Sequence, residues 1–184
     1  MWGYISLNFT LTGEKLPPIN PVECCSKLAD LSTGVVMFDI LIANPDRHSE
    51  NLAATLQEPP YEMIIFDHGH ALFGHDQANA TKRLIDLQDR LAITGGSVTK
   101  QHRHCLIDEL RDESFFGKWI ERVESLPDHF IETTCDDLLQ RDFIEHSEFS
   151  AMVRFLRHRR DGFRKLVADH QKEFTGLKQL GLTV

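Results

Sequence analysis

Apolar residues along this chain recur mostly at spacings of three and four, the period of a helix with one buried face. Leu28, Leu31, Val35, Phe38 and Ile42 predict a helix from about Pro21 to Ala43 with that face buried; Gly34 lowers its propensity, and Pro45 closes it. Ala80, Leu84, Leu87 and Leu91 predict a second helix, broken by Gly95 and Gly96. Phe115, Phe116, Trp119, Ile120 and Val123 predict a third, ended by Pro127. Thr133 or Thr134 is positioned to cap a short helix carrying Leu138 and Leu139, with Asp137 at capping-box spacing from Thr134. Phe149, Met152, Val153, Leu156, Phe163, Leu166 and Val167 predict one long late helix, and its Arg157-His158-Arg159-Arg160 run reads as a solvated face.

Strand signals are few. Leu52 to Leu56 and Glu62 to Phe66 flank the turn Gln57-Glu58-Pro59-Pro60 and predict a hairpin that ends at Asp67-His68-Gly69-His70. Tyr4 to Leu11 alternates with period two, as an edge strand would, and Thr12 to Lys15 reads as a turn. Pro17, Pro18 and Pro21 predict an extended connector. The expected organisation is an extended, proline-rich segment over 1–21 and one folded unit over 22–184, mainly α with a small β-hairpin.

Composition narrows the classes. The chain has 184 residues, 41% of them hydrophobic, which suits one globular domain with a real core. A net charge of −8 weighs against a protein whose main work is gripping nucleic-acid backbone. The sequence shows no membrane-spanning run and no secretory signal, so a cytoplasmic location is expected. Cys24, Cys25, Cys105 and Cys135 form no recognisable disulfide framework and read as free thiols.

The chemistry gathers where helix, loop and hairpin should meet. Asp46 follows Pro45, Asn51 lies five residues on, and Asp67 stands at the hairpin exit, 16 residues beyond Asn51. A strand, a turn and a returning strand fill that interval and bring Asn51 near Asp67. Phosphoryl transfer uses these residue types: a carboxylate to orient an acceptor hydroxyl, and a carboxylate with an amide oxygen to hold magnesium. The stretch Phe38-Asp39-x-x-Ile42-x-Asn44-x-Asp46-Arg47-His48-x-x-Asn51, followed by Phe66-Asp67-His68-Gly69-His70, resembles the catalytic and metal-binding loops of HipA-like serine/threonine kinases. The phosphoinositide lipid kinases share the pattern. The resemblance is strongest over residues 35 to 75.

It implies a protein-kinase-like C-lobe and a Mg-ATP-dependent phosphotransferase acting on a protein Ser/Thr hydroxyl. By the same resemblance Asp46 is the catalytic aspartate, Asn51 and Asp67 hold Mg2+ and ATP, and Arg47 and His48 buttress the loop, with His48 expected in the core. Asp39 is expected to face this loop. Only 45 residues precede Asp46, and they contain no glycine-rich loop and no convincing phosphate-pairing lysine. Activity is therefore expected to need an N-lobe from a longer product or a partner, or else an unusual minimal nucleotide site. Two other readings compete: a kinase-like C-lobe that serves only as a regulatory or interaction module, and a metal-dependent hydrolase using His68, His70 and His75 with Asp67. His102 and His104, two residues apart, read as surface residues.

Overall fold

The computed structural model describes residues 19–74, 79–94 and 103–177. The predicted strand over 4–11, the turn at 12–15, Pro17, Pro18, the Gly95-Gly96 break, His75 and His102 lie outside these residues. Within them the protein is predominantly α-helical with one small antiparallel hairpin, the architecture the hydrophobic pattern predicts. Among the described residues, no helix is long and apolar enough to cross a membrane.

The predicted helix from Pro21 to Ala43 is two helices, α1 (Pro21–Lys27) and α2 (Ala29–Leu41), separated at Leu28. Pro21 does not extend the chain. It is the first residue of α1, where its missing N–H is no loss, and the Asn20 side chain accepts from the Val22 and Glu23 N–H groups at 3.1 and 3.3 Å. The expected buried face of α2 is also corrected. Leu31 and Phe38 are 39% and 38% exposed, whereas Val36, Met37 and Ile40 are fully buried. Helix α2 lies between several others, so its neighbours set its burial and a single stripe does not.

Helix α4 (Ser114–Glu124) crosses α2 at Gly34, and Trp119 fills the space there. A Cβ on Gly34 would sit 2.4 Å from the Trp119 ring, so the close crossing requires glycine. Trp119 Nε1 donates to Asp30 at 2.7 Å, giving the half-buried indole its polar partner.

The hairpin pairs β1 (Leu52–Thr55) with β2 (Glu62–Ile65), Leu52 opposite Ile65 and Thr55 opposite Glu62. Its inner side joins a core of Val36, Met37, Ile40, Leu106, Ile107, Phe116, Ile120 and Phe163. A second core joins α3 (Ala80–Leu87), α5 (Asp128–Gln140) and α6 (His146–Asp161) through Leu84, Ile131, Cys135, Met152 and Phe155. Thr133 and Thr134 lie inside α5 and cap nothing; their hydroxyls donate to the carbonyls of His129 and Phe130 four residues back. The long late helix is divided at Gly162 into α6 and α7 (Phe163–Asp169).

The solvated-face reading of 157–160 fails at Arg159, which is 1% exposed. Its guanidinium donates to the carbonyls of Leu87 and Arg90, both at 2.8 Å, and to that of Ile40. A cation from α6 thus covers the carbonyl ends of α2 and α3, where the helix dipoles favour positive charge. Burial pulls its pKa down to about 10, partly countered by Asp89. All four cysteines are free, as expected, and burial pushes Cys25 and Cys135 up to about 11 and Cys105 to about 12.

Candidate functional site

The loop bearing Asp46 leaves α2 through a defined exit. Ala43 takes a left-handed conformation, φ 51°. The Ala43 N–H donates to Ile40 O at 3.1 Å and the Asn44 N–H to Asp39 O at 2.9 Å. This is a Schellman ending, and it reverses the chain immediately before Pro45. The Asn44 side chain then works in both directions: its Nδ2 donates to Asp39 Oδ1 at 3.0 Å, and its Oδ1 accepts from the Asp46 N–H at 3.3 Å.

Arg47 organises the rest. It is 1% exposed and spends five N–H donors on five acceptors. Nε and Nη2 donate to the two Asp39 oxygens at 2.8 and 3.0 Å. Nη1 donates to Asn51 O at 3.0 Å and Phe66 O at 2.6 Å, the residues that flank the hairpin on its two strands. Nη2 also donates to His68 Nδ1 at 2.8 Å. One guanidinium therefore joins α2, the Asp46 loop and the turn that carries Asp67. Burial alone would raise the Asp39 pKa, but hydrogen bonds from His104 and Arg47 outweigh it and hold the carboxyl at about 2.

The three predicted reactive residues are thereby tied to one another. Asn51 Nδ2 donates to the Asp46 carbonyl at 2.9 Å, and the Phe66 N–H, next to Asp67, donates to Asn51 O at 3.3 Å. Asp67 adopts φ 53°, a left-handed backbone unusual for a non-glycine residue, and its Oδ1 accepts from the Gly69 N–H at 3.3 Å. The Asp46 carboxylate is 31% exposed and faces His70, Oδ2 to Nε2 3.7 Å. Burial, reinforced by the Arg47 guanidinium, keeps the His68 pKa below the ordinary histidine value.

Among the described residues, no hydrogen bond reaches Asn51 Oδ1 or Asp67 Oδ2. An amide oxygen and a carboxylate oxygen are hard donors of the kind magnesium takes alongside nucleotide phosphates, so the donor set fits that ion. Among the described residues, no three His, Cys, Asp or Glu side chains gather as metal ligands; His75, which the hydrolase reading also names, lies outside them.

Two histidine expectations are corrected. His48 is exposed rather than in the core; its Nδ1 accepts from the Glu50 N–H at 3.2 Å and caps the 3-10 turn Ser49–Asn51. His104 is 1% exposed rather than on the surface, and its Nε2 donates to Asp39 Oδ2 at 3.0 Å. Sequence reading missed it because its partner lies 65 residues away; the one local signal is the apolar run Cys105-Leu106-Ile107 directly after it. Arg83 was missed too. It donates to the carbonyls of His70 and Leu72 at 3.1 and 2.9 Å and holds the segment after Asp67.

Comparison of the chain with protein-family models, with curated proteins and with solved structures finds no match in any of the three.

Proposed function

We propose that this chain carries the acceptor-orienting and metal-holding half of a Mg-ATP-dependent phosphotransferase of the HipA-like type, built as a protein-kinase-like C-lobe and acting on a protein Ser/Thr hydroxyl. The observation that supports this reading most is the Arg47 hub, which binds the segments of Asp46, Asn51 and Asp67 into one assembly through five hydrogen bonds. In this scheme Asp46, anchored by its backbone and open at its carboxylate, orients the acceptor hydroxyl and receives its proton. Asn51 Oδ1 and Asp67 Oδ2 are the ligands for magnesium, which when bound neutralises charge on the transferred phosphoryl group. Arg47 and His48 do not touch the reacting atoms. Arg47 holds the loop and His48 caps the turn beside it.

Two observations favour a second reading, a non-catalytic module that binds a partner. Arg47 has no donor left for a phosphate, and the chain's net charge is −8. Transfer of labelled γ-phosphate by the whole gene product separates the two. The phosphotransferase reading expects activity that falls by about 100-fold or more in Asp46→Ala and Asp67→Asn. Equal transfer in all three proteins removes the assigned roles, and no transfer in any favours the module.

A further inference from the structure

We infer that His104 is a positioning residue for both the Asp46 loop and the Asp67 turn, acting through Asp39 and Arg47. Its functional consequence rests on the phosphotransferase reading; its structural consequence does not.

His104 comes to the site from a distant segment that is itself fastened there. The His104 N–H donates to Ile93 O at 2.9 Å, and the next N–H, that of Cys105, donates to the Arg47 carbonyl at 2.9 Å. The imidazole has its tautomer assigned by its neighbours. Nδ1 accepts from the Leu106 N–H at 3.2 Å, which leaves the Nε2–H to donate to Asp39. Both the His104 and Asp39 side chains are 0% exposed.

The Asp39 carboxylate accepts four hydrogen bonds: Asn44 and Arg47 on Oδ1, Arg47 and His104 on Oδ2. Its position is over-determined, and so is that of the guanidinium lying against it. Three of the five Arg47 bonds go to Asn51, Phe66 and His68, so the orientation Asp39 imposes on Arg47 is passed to the residues around Asn51 and Asp67. Without the His104 donor, Asp39 Oδ2 keeps only Arg47, in a place water does not reach. The carboxylate is then held by Asn44 and Arg47 alone, and the orientation it passes through the guanidinium to both reactive segments is less closely fixed. A histidine that merely fills core space would weaken the whole protein evenly. A positioning histidine loosens two segments that are far apart in sequence and leaves the α5–α6 core unchanged.

Hydrogen–deuterium exchange on the chain tests this without any need for activity. In His104→Ala, peptides spanning 44–51 and 64–70 are expected to exchange roughly tenfold faster or more, with peptides of α5 and α6 unchanged. His104→Gln restores an N–H donor and is expected to recover most of that protection. An even rise across all peptides, or unchanged exchange at 44–51 and 64–70, overturns the proposal. Nitrogen NMR of the wild-type imidazole covers the case in which the variants do not fold. A slowly exchanging Nε2–H with an unprotonated Nδ1 is expected, and the opposite tautomer overturns the proposal. Where the wild-type gene product transfers phosphate, His104→Ala is expected to lower kcat by a larger factor than it changes the KM for ATP, and His104→Gln to recover most of the lost kcat. If it transfers none, the phosphotransferase reading fails while the exchange data still decide the role of His104.

Discussion

Arg47 and Asp39 lie against each other with no exposed side-chain surface, Nε 2.8 Å from Oδ2 and Nη2 3.0 Å from Oδ1. Two parallel charge-assisted bonds fix the plane of the guanidinium and aim its remaining donors at the hairpin. The pair is thus a joint between α2 and the loops that follow it, as well as an element of stability.

Removing one partner leaves the other charge buried. Arg47→Ala is expected to lower unfolding free energy by about 3–5 kcal/mol, read from urea midpoints. Arg47→Lys keeps the charge but cannot make the paired contact or reach all five acceptors, and it is expected to lose at least half as much. A lysine variant as stable as the wild type would show that charge alone suffices.

Acid should unfold the protein through Asp39. Its folded-state pKa of about 2 lies below the ordinary 3.8. The stabilisation is therefore full above 3.8 and is lost as pH falls through that value towards 2. Linkage puts the effect at roughly 2 kcal/mol. Urea midpoints taken from about pH 6 down to about pH 2.5 should fall more steeply in the wild type than in Asp39→Asn. Parallel curves would assign the acid sensitivity to other groups.

Gly34→Ala should destabilise by about 1–3 kcal/mol, because the new methyl group meets the Trp119 ring. Pairing it with Trp119→Leu should recover part of the loss, as a cycle of the four proteins would show. Purely additive losses would mean that helix propensity, not the crossing, makes Gly34 necessary.

The chain alone is expected to bind Mg-ATP with a Kd weaker than about 1 mM by calorimetry. The loop's arginine is fully engaged with Asp39, Asn51, Phe66 and His68, and the chain's net charge of −8 repels polyphosphate. Micromolar binding would show that this chain holds a nucleotide grip of its own.

Local pattern was sufficient for the hairpin, whose strands Leu52–Thr55 and Glu62–Ile65 match the predicted ones to within a residue. It was also sufficient for the existence of α3 to α6 and for the spacing of Asp46, Asn51 and Asp67. It failed where position in the bundle decides exposure. Leu31 and Phe38 carry the right helical spacing yet stay more than a third exposed, because α1, α4 and α6 pack against other sides of α2. It failed again for single residues that reset direction, at Leu28 between α1 and α2 and at Gly162 between α6 and α7.

Helical period, turn chemistry and motif spacing involve residues that are close in sequence, so by itself the chain determined the elements and the candidate reactive residues. The partners of its buried polar groups were decided only by the tertiary structure. A buried cation or imidazole is tolerated when acceptors reach it, and those come from elsewhere in the chain: Asp39 for His104, and the carbonyl ends of α2 and α3 for Arg159. The apolar neighbours of each, Cys105-Leu106-Ile107 beside His104 and Phe155 and Phe163 at helical spacing from Arg159, hint at burial but do not name the partner that the fold brings to it.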